Sequence, residues 1–223
     1  MRFEEYPDRD MLALTLADRL TSDLSTALRH KDRVSFAVPG GSTPGPVFDA
    51  LSAVRLDWDR VDVILTDERW VPETSDRSNT RLLRDRLLQG RAAAARLLPL
   101  TRAQGTPEAA LDDLTAGLAP CLPIDVLLLG MGGDMHIASL FSGADQLEAA
   151  LATDAPPLLV MRAPGVPEAR VTLSAPVLRG AVSSHILITG VEKRAVIEAA
   201  QGQPPVQAPV ALMLDRATVH WAA

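Results

Sequence analysis

The sequence has a single cysteine, Cys121, among its 223 residues. One thiol excludes a disulfide within the chain and any metal site built from several cysteines. No apolar stretch approaches the roughly 18 residues of a membrane-spanning helix, and the residues after Met1 lack the basic and then apolar pattern of a signal peptide. These absences predict a globular protein of the reducing cytoplasm that has no membrane partner.

Positively charged residues are also fewer than negatively charged ones. Lys and Arg number 22 against 28 Asp and Glu, which gives a net charge of −6. No basic tract offsets this charge, so the overall field excludes nucleic acids as partners. Hydrophobic residues make up 47% and charged residues 22% of the chain, proportions that are typical of a folded domain. We expect residues 1–223 to form a single domain.

Helical and strand-like segments alternate along the chain. Leucines recur every four residues from Leu12 to Leu28, which predicts a helix over about 8–30. Further helices are predicted from Pro44, with Thr43 as N-cap, and at 78–88, 107–118 and 192–200. Strands are predicted at 33–38, 61–66, 97–100, 124–129, 158–161, 171–173, 185–189 and 218–221. This alternation predicts an α/β fold with a mostly parallel sheet and helices on both faces.

Three of the predicted strands run into unusual polar loops, and ligands of such folds gather where strands end. The first loop contains Gly40, Gly41, Ser42 and Thr43 before a predicted helix. Glycines let a ligand approach the backbone, and a helix N-terminus attracts anions, although an ordinary turn is an equally good interpretation from composition. The Lys-Ser/Thr of a nucleotide-binding P-loop is missing at 46–47.

The second loop begins with Asp67, Glu68 and Arg69, directly after the strand at 61–66. Three consecutive charges usually mark a solvated turn. If the segment stays extended, however, alternate side chains face opposite sides. We then expect Asp67 and Arg69 to line a site and Glu68 to point away from it.

The third loop carries Asp134 and His136, shortly after the most apolar strand. Met135 stands where a dinucleotide-binding fingerprint needs its third glycine, so that interpretation is weak. No further residues stand at metal-ligand spacing, so no metal is expected. A lone histidine is more often structural, and His30, His185 and His220 have no recognisable partners in the sequence.

Taken together, these motifs resemble the 6-phosphogluconolactonase family in kind and in order. The resemblance rests on residues 40–44 (GGSTP), 66–69 (TDER), 71–72 (VP), 78–79 (SN), 130–141 (GMGGDMHIASLF), 170–178 (RVTLSAPVL), 189–193 (TGVEK) and 219–221 (VHW). It implies a three-layer α/β/α Rossmann-like fold, shared with glucosamine-6-phosphate deaminases, with no cofactor and no metal. It also implies hydrolysis of the lactone of 6-phosphogluconate, a step of the pentose phosphate pathway.

The resemblance also implies roles for single residues. His136 would be the general base for water, with either Asp134 or Asp67 orienting its ring, and Arg69 would offset negative charge in the transition state. The phosphate would be held by the loop of Gly40, Gly41, Ser42 and Thr43 together with Arg170 and Lys193. Sequence leaves the oligomeric state open between monomer and homodimer.

Two departures from the family pattern stand beside His136. The family commonly has glycine at position 135 and threonine at position 137, where this chain has Met135 and Ile137. If position 135 has a positive φ, methionine would be strained there.

Two other functions are open to the same scaffold. A sugar-phosphate deaminase or isomerase would share the phosphate site, but deaminases resemble a motif with glutamate five residues after the histidine, where this chain has Phe141. A non-catalytic sugar-phosphate sensor would lack turnover, and sensors of this fold carry a DNA-binding segment for which the chain has neither room nor charge.

Overall fold

The computed structural model describes all residues 1–223 and contains two sheets. Its strands are β1 Arg2–Glu5, β2 Val34–Val38, β3 Val61–Leu65, β4 Asp67–Arg69, β5 Arg96–Leu98, β6 Val126–Gly130, β7 Leu158–Met161, β8 Arg170–Leu173, β9 Ser183–Thr189 and β10 Thr218–Ala222. Seven strands form an all-parallel sheet in the order β1-β10-β9-β6-β2-β3-β5. The mostly parallel sheet is therefore confirmed. Strands β1 and β4 were not anticipated as strands, since both are short and charged.

The second sheet has three antiparallel strands in the order β4-β8-β7. Strand β4 follows β3 after a single residue, Thr66, so the chain passes directly from the main sheet into the small one. This transition brings Asp67 and Arg69 opposite Thr172 and Arg170 of β8. The small sheet thus forms a wall beside the carboxyl end of β3.

Seven α-helices connect the strands. They are α1 Arg9–Leu28, α2 Gly45–Ala53, α3 Asn79–Arg86, α4 Pro107–Leu118, α5 Leu147–Leu151, α6 Ala175–Arg179 and α7 Val191–Ala199. Ser78 caps α3 as expected, since its side chain accepts a hydrogen bond from the backbone N–H of Arg81. The expectation for Thr43 was wrong: Pro44 is the N-cap of α2, and no side chain caps that helix.

Packing follows the hydrophobic pattern of the sequence. The five leucines of α1 from Leu12 to Leu28 are all buried, and so is every residue of β2 and β3. Strands that are buried on both faces need a layer on each side, which is the arrangement of a three-layer α/β/α fold. One core of 61 buried residues includes side chains from near both ends of the chain. No helix combines the length and the apolar character needed to cross a bilayer.

The core also contains a chain of polar contacts that sequence reasoning missed. The two imidazoles of His185 and His220 lie side by side on β9 and β10, with Nδ1 of His185 3.0 Å from Nε2 of His220. Asp23 of α1 lies 2.9 Å from the other nitrogen of His185, and the Tyr6 hydroxyl lies 2.8 Å from the other nitrogen of His220. Both histidines therefore have partners, contrary to expectation, because the partners come from distant parts of the chain.

Candidate active site

Four neighbouring strands, β9, β6, β2 and β3, end at the same edge of the main sheet, as the carboxyl ends of parallel strands do. A cavity of about 210 Å³ lies there, between the loops that follow these strands and the wall formed by β4 and β8. Eight of the expected site residues line it: Gly40, Gly41, Thr43, Asp67, Arg69, His136, Arg170 and Lys193. Ser42 and Asp134 do not line the cavity.

His136 is held by its neighbour two residues earlier in the chain. Its Nδ1 lies 2.5 Å from Oδ1 of Asp134, and no other side-chain hydrogen bond reaches the ring. Burial alone would raise the pKa of Asp134, but the charge and hydrogen bond of His136 outweigh it and hold that pKa below its usual range. A carboxylate at Nδ1 favours the neutral tautomer that has its proton on Nδ1. Nε2 then has a free lone pair.

The loop before His136 is folded tightly enough to require glycine at one position. The backbone N–H of Gly132 donates to the carbonyl of His136 at 2.9 Å. A Cβ at Gly132 would lie 2.0 Å from Nδ1 of His136 and 2.4 Å from Oδ1 of Asp134. Only a residue without a side chain leaves room for the pair.

The structure shows the consequences of both departures from the family pattern, Met135 and Ile137. Met135 has a φ of 66°, so the left-handed conformation is kept even though the residue is not glycine, and the strain expected of methionine is present. Its carbonyl accepts a hydrogen bond from the backbone N–H of Val210, which helps to hold it. Ile137 is fully buried and does not line the cavity, so this position offers the cavity no side chain.

Asp67 contacts Arg170 and not His136. Its carboxylate accepts a hydrogen bond from the hydroxyl of Ser139 at 2.5 Å and lies 3.3 Å from Nη1 of Arg170. Of the two carboxylates considered for orienting His136, only Asp134 touches it. Asp67 instead orients the guanidinium of Arg170, which also lines the cavity.

Arg69 and Arg170 face each other directly across β4 and β8. The Nε atoms of both are buried and have no hydrogen-bond partner. Burial, together with the nearby charge of Arg170, holds the pKa of Arg69 below its ordinary value, although Asp67 and Glu68 oppose this shift. Like charges placed directly opposite are unfavourable, so this wall is suited to an anionic ligand.

Lys193 brings a third positive charge to the cavity from α7. Its Nζ donates to the carbonyl of Met131 at 2.8 Å, which directs the ammonium toward the His136 loop. Burial lowers the pKa of Lys193, while Asp134 and Glu192 act in the opposite direction. Three cations against the single lining carboxylate of Asp67 make the cavity locally positive in an acidic protein.

Glu68 points away from the cavity, as the alternation of an extended strand predicts. It is buried, and its carboxylate accepts hydrogen bonds from the backbone N–H groups of Asn79 and Thr80 at 2.8 and 2.7 Å. A carboxylate at this position satisfies free donors at the start of α3 and complements the helix dipole. Glu68 therefore anchors the helix to the small sheet.

Asn79 is a cavity residue that sequence reasoning did not select. Its side-chain amide donates to the backbone carbonyl of Asp67 at 2.9 Å. A Cβ at Gly40 would lie 2.0 Å from Oδ1 of Asn79, so the glycine permits this close approach. The motif at 78–79 was the available indication of Asn79, but the motif is already explained by Ser78 as a helix cap.

The glycine loop is only partly as expected. Gly41 has a φ of 88°, a conformation that glycine adopts without strain. Thr43 lines the cavity, whereas Ser42 is exposed outside the lining and its carbonyl accepts a hydrogen bond from the backbone N–H of Gly45. Nowhere in the chain do three His, Cys, Asp or Glu side chains come together as a metal site would need.

The chain is similar to known proteins over nearly its whole length. A family model described as glucosamine-6-phosphate isomerases/6-phosphogluconolactonase matches residues 7–221. A 6-phosphogluconolactonase of Rhizobium meliloti is 41% identical over 226 residues, covering 97% of each chain.

Solved structures give the same result. A crystal structure of a 6-phosphogluconolactonase from Shewanella baltica has a TM-score of 0.96 at 33% identity, covering 100% of this chain and 98% of that one. A monomeric glucosamine-6-phosphate deaminase superposes with a TM-score of 0.80 at 17% identity over 100% of this chain and 97% of that one, which shows a shared fold alone. This chain therefore belongs to the glucosamine-6-phosphate isomerase/6-phosphogluconolactonase family.

Proposed function

We propose that this protein hydrolyses 6-phospho-D-glucono-1,5-lactone to 6-phosphogluconate, a step of the oxidative pentose phosphate pathway. The observation that carries the proposal is the cavity itself: a carboxylate-held imidazole lines one wall, and the guanidinium groups of Arg69 and Arg170 line another. Opening an activated ester needs a base for water and a donor for the developing oxyanion, and these two walls offer both. Relatives named 6-phosphogluconolactonase at 41% and 40% identity support the same reaction.

His136 acts as the general base. Nε2 takes a proton from water as the water oxygen bonds to the lactone carbonyl carbon. The resulting imidazolium is stabilised by Asp134 at Nδ1. When the bond between that carbon and the ring oxygen breaks, Nε2–H returns the proton to the ring oxygen. The products are an open-chain carboxylate and a proton released to solvent.

Arg69 stabilises the negative charge that develops on the carbonyl oxygen. The guanidinium lines the cavity, and its Nη1 donates to the backbone carbonyl of Arg77 at 2.6 Å, which fixes the group before the substrate binds. A preorganised donor in a water-poor site is worth more than the same donor in solution. Asp67 supports this wall by orienting the neighbouring Arg170.

The phosphate binds where cations and backbone donors meet. Arg170 and Lys193 supply charge, and the loop of Gly40, Gly41 and Thr43 supplies groups next to the N-terminus of α2. Ser42 contributes through its backbone at most, because its side chain does not line the cavity. No cofactor or metal takes part in these steps.

One chain supplies every residue of this mechanism, so a single copy is sufficient, whether the protein is a monomer or a homodimer. A buried free thiol, Cys121, is in keeping with the reducing cytoplasm, where we place the reaction.

The test is an assay with freshly prepared lactone, because the lactone also opens without an enzyme. We expect proton release above the uncatalysed rate, and no ammonia from glucosamine 6-phosphate. Ammonia release would favour the deaminase. Binding of 6-phosphogluconate with no acceleration of lactone opening would favour the non-catalytic sensor.

A further inference from the structure

Phe141 contacts two side chains that line the cavity, His136 and Arg170, although it does not line the cavity itself. Its ring centroid is 4.3 Å from that of His136, with the planes inclined at 42°. Cζ of Arg170 lies 5.2 Å from the same Phe141 centroid. The phenylalanine is only 7% exposed. One buried ring therefore contacts both His136 and the guanidinium of Arg170.

The hydrogen bond to Asp134 is the only side-chain hydrogen bond that the His136 ring makes. The side chain of Asp134 is 61% exposed, and an interaction with so exposed a carboxylate is weakened by solvent screening. A hydrogen bond at Nδ1 also leaves the imidazole free to swing about that contact. The buried face of Phe141 supplies the second point of contact, and two points define the direction of Nε2.

Arg170 depends on Phe141 in a comparable way. Its Nη1 lies within 3.4 Å of the Asp67 carboxylate and the Ser139 hydroxyl, while its Nε has no partner. A guanidinium held at one end is kept in place by an aromatic ring beside it, an arrangement that is favourable for cations. Ser139 and Phe141 are two residues apart, so a single short segment supports Arg170 at both contacts.

We propose that Phe141 is a positioning residue for the lactonase reaction, which fixes the base and the phosphate-binding guanidinium relative to one another. This inference rests on the proposed function. Phe141 does not line the cavity, and it acts through His136 and Arg170. We therefore expect removal of the aromatic side chain to lower kcat through His136 and to raise KM for the phosphorylated lactone through Arg170.

The experiment compares Phe141→Leu with Phe36→Leu. Phe36 is fully buried in the middle of β2, outside the cavity lining, so the control has the same change of side chain in the core. We expect Phe141→Leu to lower kcat at least about tenfold, because small displacements of a catalytic group are costly. Phe36→Leu should lower the melting temperature but leave kcat and KM within about twofold of wild type.

A second measurement separates positioning from a general loss of structure. Combined with His136→Asn, the Phe141→Leu change should have almost no further effect on kcat, since there is no base left to position. An equal loss in both backgrounds would overturn the inference, and so would Phe141→Leu behaving like Phe36→Leu in an active protein. A wild-type protein that does not accelerate lactone opening would overturn the proposed function, and this inference with it.

Discussion

Nδ1 of His136 lies 2.5 Å from Oδ1 of Asp134, and the loop that holds this pair has no room for a side chain at Gly132. In this loop His136 is the proposed base, Asp134 contacts its ring, and Gly132 leaves the space that both side chains need. Because all three lie within five consecutive residues, the geometry is set by local backbone conformation. It should therefore be sensitive to a single methyl group.

We expect Gly132→Ala to lower kcat by at least about a hundredfold, because its Cβ would displace both His136 and Asp134. The matched control is Gly133→Ala, where the nearest atom to a Cβ, Nζ of Lys193, is 3.8 Å away. That variant should keep kcat within about threefold. Steady-state kinetics of both variants, with circular dichroism to confirm folding, tests the expectation, and equal losses in the two would contradict it.

Asp67 and Glu68 are adjacent carboxylates with different partners. Replacing each by its amide should therefore impair different properties, catalysis for Asp67 and stability for Glu68. Glu68→Gln places a donor against the backbone N–H groups of α3, which should cost about 2–4 kcal/mol of unfolding free energy. In the folded fraction kcat should remain within about threefold. Asp67→Asn should instead lower kcat/KM by about 10- to 100-fold, because Arg170 loses its buried counter-charge.

Urea unfolding and kinetics at a temperature where both variants are folded would distinguish these outcomes. If the two amides reduced kcat equally there, the division between a cavity carboxylate and an anchoring carboxylate would be wrong.

Lys193→Ala should weaken use of the phosphorylated lactone by about 10- to 150-fold in kcat/KM, the value of a charged hydrogen bond of about 1.5–3 kcal/mol. Its effect on unphosphorylated gluconolactone should be small, because that substrate never makes the contact. Loss of both activities to the same degree would mean that Lys193 supports the loop through the Met131 carbonyl and not the phosphate.

Stability should fall as the pH is lowered through the histidine range. Burial, with a smaller contribution from the neighbouring His185, lowers the pKa of His220 to about 3. Between pH 6.5 and 3 the unfolded chain therefore binds a proton at this position that the folded chain does not, so stability is lost with acidification. From pH 7.5 to 5 the loss should be about 2 kcal/mol.

The variant His220→Gln tests this contribution. It should be less stable than wild type at neutral pH, because the contacts to Tyr6 and His185 are disturbed, but its stability should vary less between pH 7.5 and 5. Chemical denaturation at both values gives the comparison. An unchanged pH dependence would show that His220 does not supply it.

Most of the main sheet could be predicted because its strands are buried on both faces and are mostly apolar, as in the uncharged run Val126–Gly130. Strand β4 could not, because its three residues are all charged and only its pairing with β8 makes it a strand. After β6 the chain turns through Met135 and Ala138, both with positive φ, before α5 begins at Leu147, and the sequence pattern does not indicate these turns.

The site was predictable to the extent that topology gathers the ends of strands. The alternation of Asp67, Glu68 and Arg69 correctly indicated which side chains share a side. What sequence could not supply were the pairings across the cavity, such as Asp67 with Ser139 and Arg170, since these residues are 72 and 103 positions away. For the same reason, the choice between Asp67 and Asp134 as the partner of His136 needed the structure.

The most direct test of lactone hydrolysis with His136 as base is the initial rate of opening of fresh 6-phosphogluconolactone by wild type and by His136→Asn, each corrected for the uncatalysed reaction. We expect clear acceleration by wild type and a kcat lower by about 10²- to 10⁴-fold in the variant, with KM little changed. A His136→Asn protein that turns over at nearly the wild-type rate would contradict the assignment of His136 as the base.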